Sequence, residues 1–421
     1  MEMVSRFNKM KKIIIFENNV HFDGVGDYYH LKDIVQRLVK NPRFANYSFI
    51  PIISTSNLEL KKTIKNDFTA MGITQFFIKD SFDPNDSDFV NDVRPYYEKA
   101  EQVIEVSTLF DDKYKQYLKP GALVKIIYEH ERTGSLKWEI RSEIPTLTGS
   151  LGLGANNLGI KLSALKEKAS PIDFFSTLQA HDNHLATKLL NTTNVSNFTQ
   201  FLNENTFVNA YFNRFESGFS VFLALLSAMQ NNKNIAMHLS SGEPWRISNY
   251  FNGRKGGITL ELFKKILAEA APEASVKQIE LYEQSDIATT YLINETATKI
   301  IRIYTGYLSK PSYEKIFDAA NLVGVSGDTS LEKSISHKAF PFYHSTNANM
   351  KVPTWAAIKE IVETVDFGFS ERVKSDLITY FSYQGNQSRM NFWKELLQIN
   401  LDGVIEAWPQ IADYPKFPSL K

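Results

Sequence analysis

The 421-residue chain contains no cysteine. That excludes a disulfide framework, a thiolate zinc site and a cysteine nucleophile, and it suits a reducing compartment. It has no apolar run of the ~18 residues that a membrane span needs, so no span is expected. Met1 to Lys12 mixes polar and charged residues without an apolar centre. No signal peptide is read there. The expectation is cytoplasmic residence, with a secreted effector lacking a classical signal as the alternative. Net charge is also missing, since 47 Lys and Arg balance 47 Asp and Glu. No overall field draws in nucleic acid or an acidic membrane. There is no Gly-x-Ser-x-Gly elbow and no Gly-Lys-Ser/Thr phosphate loop.

What the chain does have is apolar material for large cores, including 30 Phe and 19 Tyr, over a length that favours more than one domain. Lys12 to Phe16 reads as a buried strand, followed by a polar loop and an amphipathic helix over Tyr28 to Val39. Strands at 47–53, 75–78, 102–106 and 123–128 continue the alternation, with a helix near 58–64. A dense glycine loop covers Thr146 to Ser163. Asp182 to Asn205 is rich in Asn and Thr and reads as the domain boundary. A second series follows, with strands at 207–212, 234–239, 277–282, 299–303, 322–325 and 340–343 and helices between them. Alternating strands and helices predict parallel sheets covered on both faces. The expected division is a leader over 1–11, an N-terminal domain over 12–195, a C-terminal domain over 206–385 and closing helices over 386–421. Ligands of such sheets sit beyond the carboxyl ends of the strands.

The strongest local signal is Ser326-Gly327-Asp328-Thr329-Ser330-Leu331, which follows a strand and opens a helix. The free amides and positive dipole end of a helix N-terminus suit a phosphate. Gly327 allows close backbone approach, and Ser330 either donates to an anion or caps the helix. Arg302, followed by Gly306, lies in a neighbouring strand-to-helix segment and could line the same pocket or be an ordinary surface arginine. The loop Asp23-Gly24-Val25-Gly26-Asp27 lies between the first strand and the first helix. A carboxylate there could act as a general base, or cap its own turn. His181-Asp182-Asn183-His184 has the look of a metal pair but lacks a third ligand nearby.

Taken in order, these segments resemble the bacterial protein-arginine rhamnosyltransferases that modify elongation factor P. Asn18 to Leu38, Thr148 to Gly159, Tyr211-Phe212-Asn213, Ile235 to Gly242, and Leu308 to Phe317 followed by Gly327 to Leu331 occupy the places of that family's motifs. The resemblance implies an α/β protein of GT-B type, with two Rossmann-like domains facing a cleft and the closing helices crossing back to the N-terminal domain. It implies a nucleoside-diphosphate sugar as co-substrate, no other cofactor, and a protein side chain as acceptor. Asp23, with Asp27 as the rival alignment, takes the place of the acceptor-side base. Gly327, Asp328, Thr329 and Ser330 take the donor diphosphate site, with Tyr211 and Phe212 against the base and Arg302 replacing a family arginine where this chain has Ser326. The family's Glu-Asp pair is Asp328-Thr329 here. Asp-x-Asp occurs only at Asp86 to Asp88 in a polar stretch, so a metal-dependent GT-A enzyme is not expected. The reading is a metal-independent, inverting glycosyltransferase. One alternative is a nucleotide-sugar 2-epimerase using His238 or His344. Another is a non-catalytic scaffold of the same fold.

Overall fold

The computed structural model describes residues 11–20, 26–80, 87–107, 112–128, 137–141, 144–150, 170–212, 217–240, 259–271, 276–283, 288–326, 328–344, 352–384 and 392–414. The chain divides into two compact units, Met1–Leu158 and Gly159–Lys421.

The first unit runs β1 (Lys12–Asn19), α1 (Gly26–Lys40), β2 (Tyr47–Ser54), α2 (Leu58–Ala70), β3 (Phe77–Lys79), α3 (Ser87–Tyr97), β4 (Ala100–Ser107), β5 (Leu123–Tyr128), β6 (Lys137–Arg141) and β7 (Ile144–Ser150). Its sheet has the order β3-β2-β1-β4-β5-β7-β6, parallel except for β6. β1 is apolar on both faces because helices cover both. Ile14 and Phe16 pack with Tyr28, Leu31 and Val35 of α1, while Ile15 packs with Val93 and Tyr97 of α3.

The second unit opens with three helices, α4 (Pro171–His181), α5 (Asn183–Thr193) and α6 (Phe198–Glu204). Then come β8 (Asn205–Tyr211), α7 (Ser217–Ala228), β9 (Asn234–Ser240), α8 (Leu260–Ala270), β10 (Val276–Tyr282), β11 (Thr289–Leu292), β12 (Lys299–Thr305), α9 (Lys310–Ala319), β13 (Leu322–Val325), α10 (Asp328–Ser336) and β14 (Phe340–Tyr343). The helices α11 (Val352–Thr364), α12 (Glu371–Gln384), α13 (Phe392–Leu396) and α14 (Leu401–Ala412) close the chain. The sheet order is β11-β10-β12-β9-β8-β13-β14, with only β11 antiparallel. Two Rossmann-like α/β units with C-terminal helices are the composition expected of the GT-B class. α13 packs against α8 and α12, and α14 against α12 and β14.

The boundary read at 182–205 is corrected: that stretch is helical and belongs to the second unit. Its Asn residues terminate helices rather than loosen a linker. Asn197 Oδ1 accepts from Gln200 N–H at the start of α6, and Asn194 closes α5 at φ 56°. Phe175 of α4 stacks on Phe198 at 4.3 Å and meets Phe201 and Phe207 edge-on. These helices therefore fix themselves to β8.

One glycine is set by packing. A Cβ on Gly324 of β13 would lie 2.5 Å from the Phe212 ring, which is itself held among Phe219, Phe222 and Phe342. Gly324→Ala is expected to cost about 1–3 kcal/mol through this overpacking. The check is a lower urea midpoint at unchanged m-value.

Candidate functional site

In a parallel sheet the switch point is where successive helices leave on opposite faces and the adjoining loops part. In the second unit it lies between β8 and β13, and the structure closes it with one hydrogen bond. Ser326 Oγ, just past β13, donates to the Tyr211 carbonyl at the end of β8, at 2.9 Å. Two residues later α10 begins, so its leading amides open beside this junction. Gly327 and the side chains of Asp328 and Thr329 lie outside the described residues. The backbone of Asp328 and Thr329 forms the first turn. Ser330 is 5% exposed and Leu331 is buried, so the helix enters the core within one turn.

Tyr211 and Phe212 part company. Tyr211 is half-buried at the strand end, near enough to Tyr313 of α9 to affect its ionisation. Burial first, and Tyr211 second, push the Tyr313 hydroxyl up to about 12. Phe212 is 3% exposed and committed to the core. It presents no ring face to a nucleobase.

Arg302 is corrected as well. It sits mid-strand in β12 at 9% exposure, and its Nε donates to Glu280 Oε2 at 2.9 Å. Glu280 also accepts from Gln278 Nε2 at 2.6 Å and Tyr282 Oη at 3.0 Å. Burial, then Glu280, push the Tyr282 hydroxyl up to about 12. Tyr282 stacks on Tyr304 at 5.1 Å, and Tyr304 Oη meets Thr192 Oγ1 of α5 at 2.6 Å. The guanidinium belongs to this internal layer, as a buried charge requires, and not to a diphosphate.

The aromatic the sequence reading passed over is Tyr307. It stands 75% exposed after β12, directly behind Gly306 at φ 149°. The signal was an aromatic following glycine at a strand end. Tyr307 shares the carboxyl edge with Tyr211 and Ser326. The order β12-β9-β8-β13 separates its strand from Ser326 by three steps, about 14 Å at ordinary strand spacing.

In the first unit, Asp23 lies outside the described residues. Asp27 stands in the first turn of α1, where its carbonyl accepts from Asn18 Nδ2 at 3.3 Å. The same Asn18 nitrogen donates to the Val106 carbonyl at 3.0 Å, spanning the β1–β4 switch point. Deeper in that sheet Glu17 and Glu105 are cross-strand partners. Glu17 accepts from Tyr97 Oη at 2.5 Å, and Glu105 pairs with Lys115 at 2.7 Å.

Of the two histidines, His238 is 1% exposed, with Nδ1 3.1 Å from Asn209 Oδ1. The backbone N–H of His344 donates to the Val325 carbonyl. Among the described residues no group of three or more His, Cys, Asp or Glu could hold a metal, and no helix is long and apolar enough to cross a membrane.

No protein-family model matches the chain, and no curated protein matches it in sequence. Solved structures resemble it weakly. A glycosyltransferase from Rickettsia africae is 9% identical over 96% of each chain, with TM-score 0.39. The UDP-GlcNAc 2-epimerase of Neisseria meningitidis bound to UDP-GlcNAc is 11% identical over 96% of this chain and 99% of its own, with TM-score 0.35. A structure of EarP-mediated arginine glycosylation of elongation factor EF-P is 11% identical over 96% and 91%, with TM-score 0.36. Values this low carry no argument about activity.

Burial brings the His238 imidazole down to about 4, against the opposing pull of the Gly306 backbone and Asp182. It is neutral in the fold at neutral pH. Because its folded pKa lies below the ordinary value of 6.5, its contribution to stability is complete above pH 6.5 and is lost as pH falls toward 4. That loss is on the order of 3 kcal/mol. His238→Gln should flatten this part of the pH–stability curve relative to wild type, as read by urea unfolding at each pH.

Proposed function

We propose that this chain transfers a sugar from a nucleoside-diphosphate sugar to an acceptor, without a metal and with inversion at the anomeric carbon. The observation that carries the reading is the Ser326–Tyr211 junction at the switch point, with α10 opening immediately beyond it. A diphosphate placed there meets the leading amides of α10 and the positive end of its dipole. Tyr307, about three strand steps away, offers its exposed ring to the base. An extended nucleoside diphosphate matches that separation. As the anomeric C–O bond breaks, its electron pair leaves with the diphosphate. The amides and dipole offset the growing charge. The acceptor's lone pair forms the new bond from the opposite side, and its proton passes to a carboxylate. Asp27, in the first turn of α1, is the described candidate for that base, with Asp23 the alternative.

The epimerase reading loses ground at His238, which is enclosed. A scaffold that only binds the donor remains the competing outcome of the tests.

UDP, GDP or dTDP is expected to raise the melting temperature, since a ligand bound only to the folded state stabilises it. No shift with any of the three removes the donor site. Tyr307→Ala should weaken the nucleotide that binds by roughly tenfold, within the ~1–3 kcal/mol of one base–aromatic stack. Its own stability should change by less than about 0.5 kcal/mol, as befits an exposed side chain. Calorimetric titration and thermal unfolding read the two effects separately.

Asp27→Asn should leave donor affinity intact while lowering transfer by about 10²–10⁴-fold, the usual contribution of a general base. Sugar transfer across an acceptor panel is the measurement. Full activity in Asp27→Asn moves the role to Asp23, and donor binding with no transfer by wild type leaves the scaffold.

A further inference from the structure

The segment Gly306 to Ser309 carries Tyr307, and its two ends are tied down. At the near end Gly306 N–H donates to the Leu239 carbonyl of β9 at 3.3 Å, and Thr305 Oγ1 to the Tyr282 carbonyl at 3.5 Å. At the far end both donors of Ser309 go to one carboxylate. Its N–H reaches Asp182 Oδ1 at 3.0 Å and its Oγ reaches Asp182 Oδ2 at 2.7 Å. Asp182 lies 127 residues earlier in the chain, at the corner between α4 and α5.

Both partners are in helix-capping positions, and neither side chain caps its own helix. Asp182 is the N-cap residue of α5 and makes no side-chain cap there. Ser309 is the N-cap residue of α9 and makes none either. A side-chain cap stabilises a helix start, and neither helix has one here. Burial opposes the charge on Asp182. Hydrogen bonds from Ser312, and from Ser309 side chain and backbone, outweigh it and hold the carboxyl below the usual aspartate range. It is thus an anionic acceptor at neutral pH, and both of its hydrogen bonds to Ser309 are charge-assisted.

We infer that Asp182 is a positioning residue of the donor site: through Ser309 it fixes the loop that presents Tyr307 to the base. The inference rests on the proposed nucleotide-binding reading. It also gives the His181-Asp182-Asn183-His184 segment a role other than metal ligation, since its aspartate reaches a loop at the carboxyl edge of the sheet while both histidines are exposed.

The test is a double-mutant cycle on nucleotide affinity, using whichever of UDP, GDP and dTDP binds wild type most tightly. Asp182→Ala should raise its Kd by about tenfold, comparable to loss of the stack itself. In a Tyr307→Ala background the same change should have almost no further effect, because Asp182 acts through Tyr307. Asp182→Asn, which keeps an acceptor oxygen, should recover part of the affinity. The Ser309 amide should exchange its hydrogen faster in Asp182→Ala. If Asp182→Ala does not fold, Ser309→Ala removes the Oγ bond alone and enters the same cycle. Unchanged affinity in the single variant, or losses that simply add in the double variant, would overturn the inference while leaving the donor site standing. If wild type binds none of the three nucleotides, the functional reading fails and this inference falls with it.

Discussion

At each switch point the polypeptide must leave a parallel ladder before its last carbonyls have found strand partners. The whole arrangement depends on what satisfies them. In the second unit Ser326 Oγ takes the Tyr211 carbonyl. In the first, Asn18 Nδ2 takes both the Val106 and the Asp27 carbonyls. With both amide protons directed at carbonyls, the Asn18 carboxamide can have only one orientation. Its Oδ1 then has no partner. A buried carbonyl left open costs about 1–3 kcal/mol, so a short polar side chain at these two positions sets how far the strands run and where the next helix starts. The position of α10 relative to β8, and of α1 relative to β4, follows from these contacts.

Behind the carboxyl edge of the second sheet, one face of the strands is polar where an apolar layer would be ordinary. Glu280 accepts from Arg302, Gln278 and Tyr282, and Tyr304 carries the layer on to Thr192 of α5. Asn209 and His238 extend it toward β8. Such a layer is no better a stabiliser than packed hydrocarbon, because desolvation offsets most of the attraction. Its bonds are directional, however, and they hold α5 in one setting against β12. That bears on the corner at Asp182, which begins α5 and must meet Ser309 with hydrogen-bonding accuracy.

Most strands were legible because they are short apolar runs of about the right length, whereas β6, β7 and β11 were not read, and β7 overlaps the stretch read as a glycine loop. The runs at 123–128, 322–325 and 340–343 end where the structure ends them. The helices of 183–204 were not, because Asn and Thr suggest a linker by composition and only the fold shows them as terminators and caps. The pair Tyr211-Phe212 shows a second limit. Adjacent strand residues face opposite sides, so only one could reach the edge, and local sequence does not say which. Gly324, over a hundred residues away, decides it by making room for the Phe212 ring. Arg302 failed for a similar reason. Its partner Glu280 is opposite it only in the β10–β12 register, a non-local fact. The helix read over 331–336 was recognisable because capping and phosphate binding draw on the same residue types, although it begins three residues earlier, at Asp328.

That double meaning also explains why the proposed donor site can be rigid without a large dedicated apparatus. A loop that must order itself on binding spends part of its contact energy on lost chain entropy, about 0.5–1.5 kcal/mol for each immobilised side chain. Here the ordering is completed during folding, by Asp182, Ser309 and the Gly306 amide. An exposed tyrosine on such a loop gains nothing for the folded protein, since its ring is left mostly in water. The forgone caps of α5 and α9 gain nothing locally either. Three separate departures from the lowest-energy local choice therefore converge on one segment at the carboxyl edge. Such convergence is expected where structure has been shaped by a ligand as well as by stability.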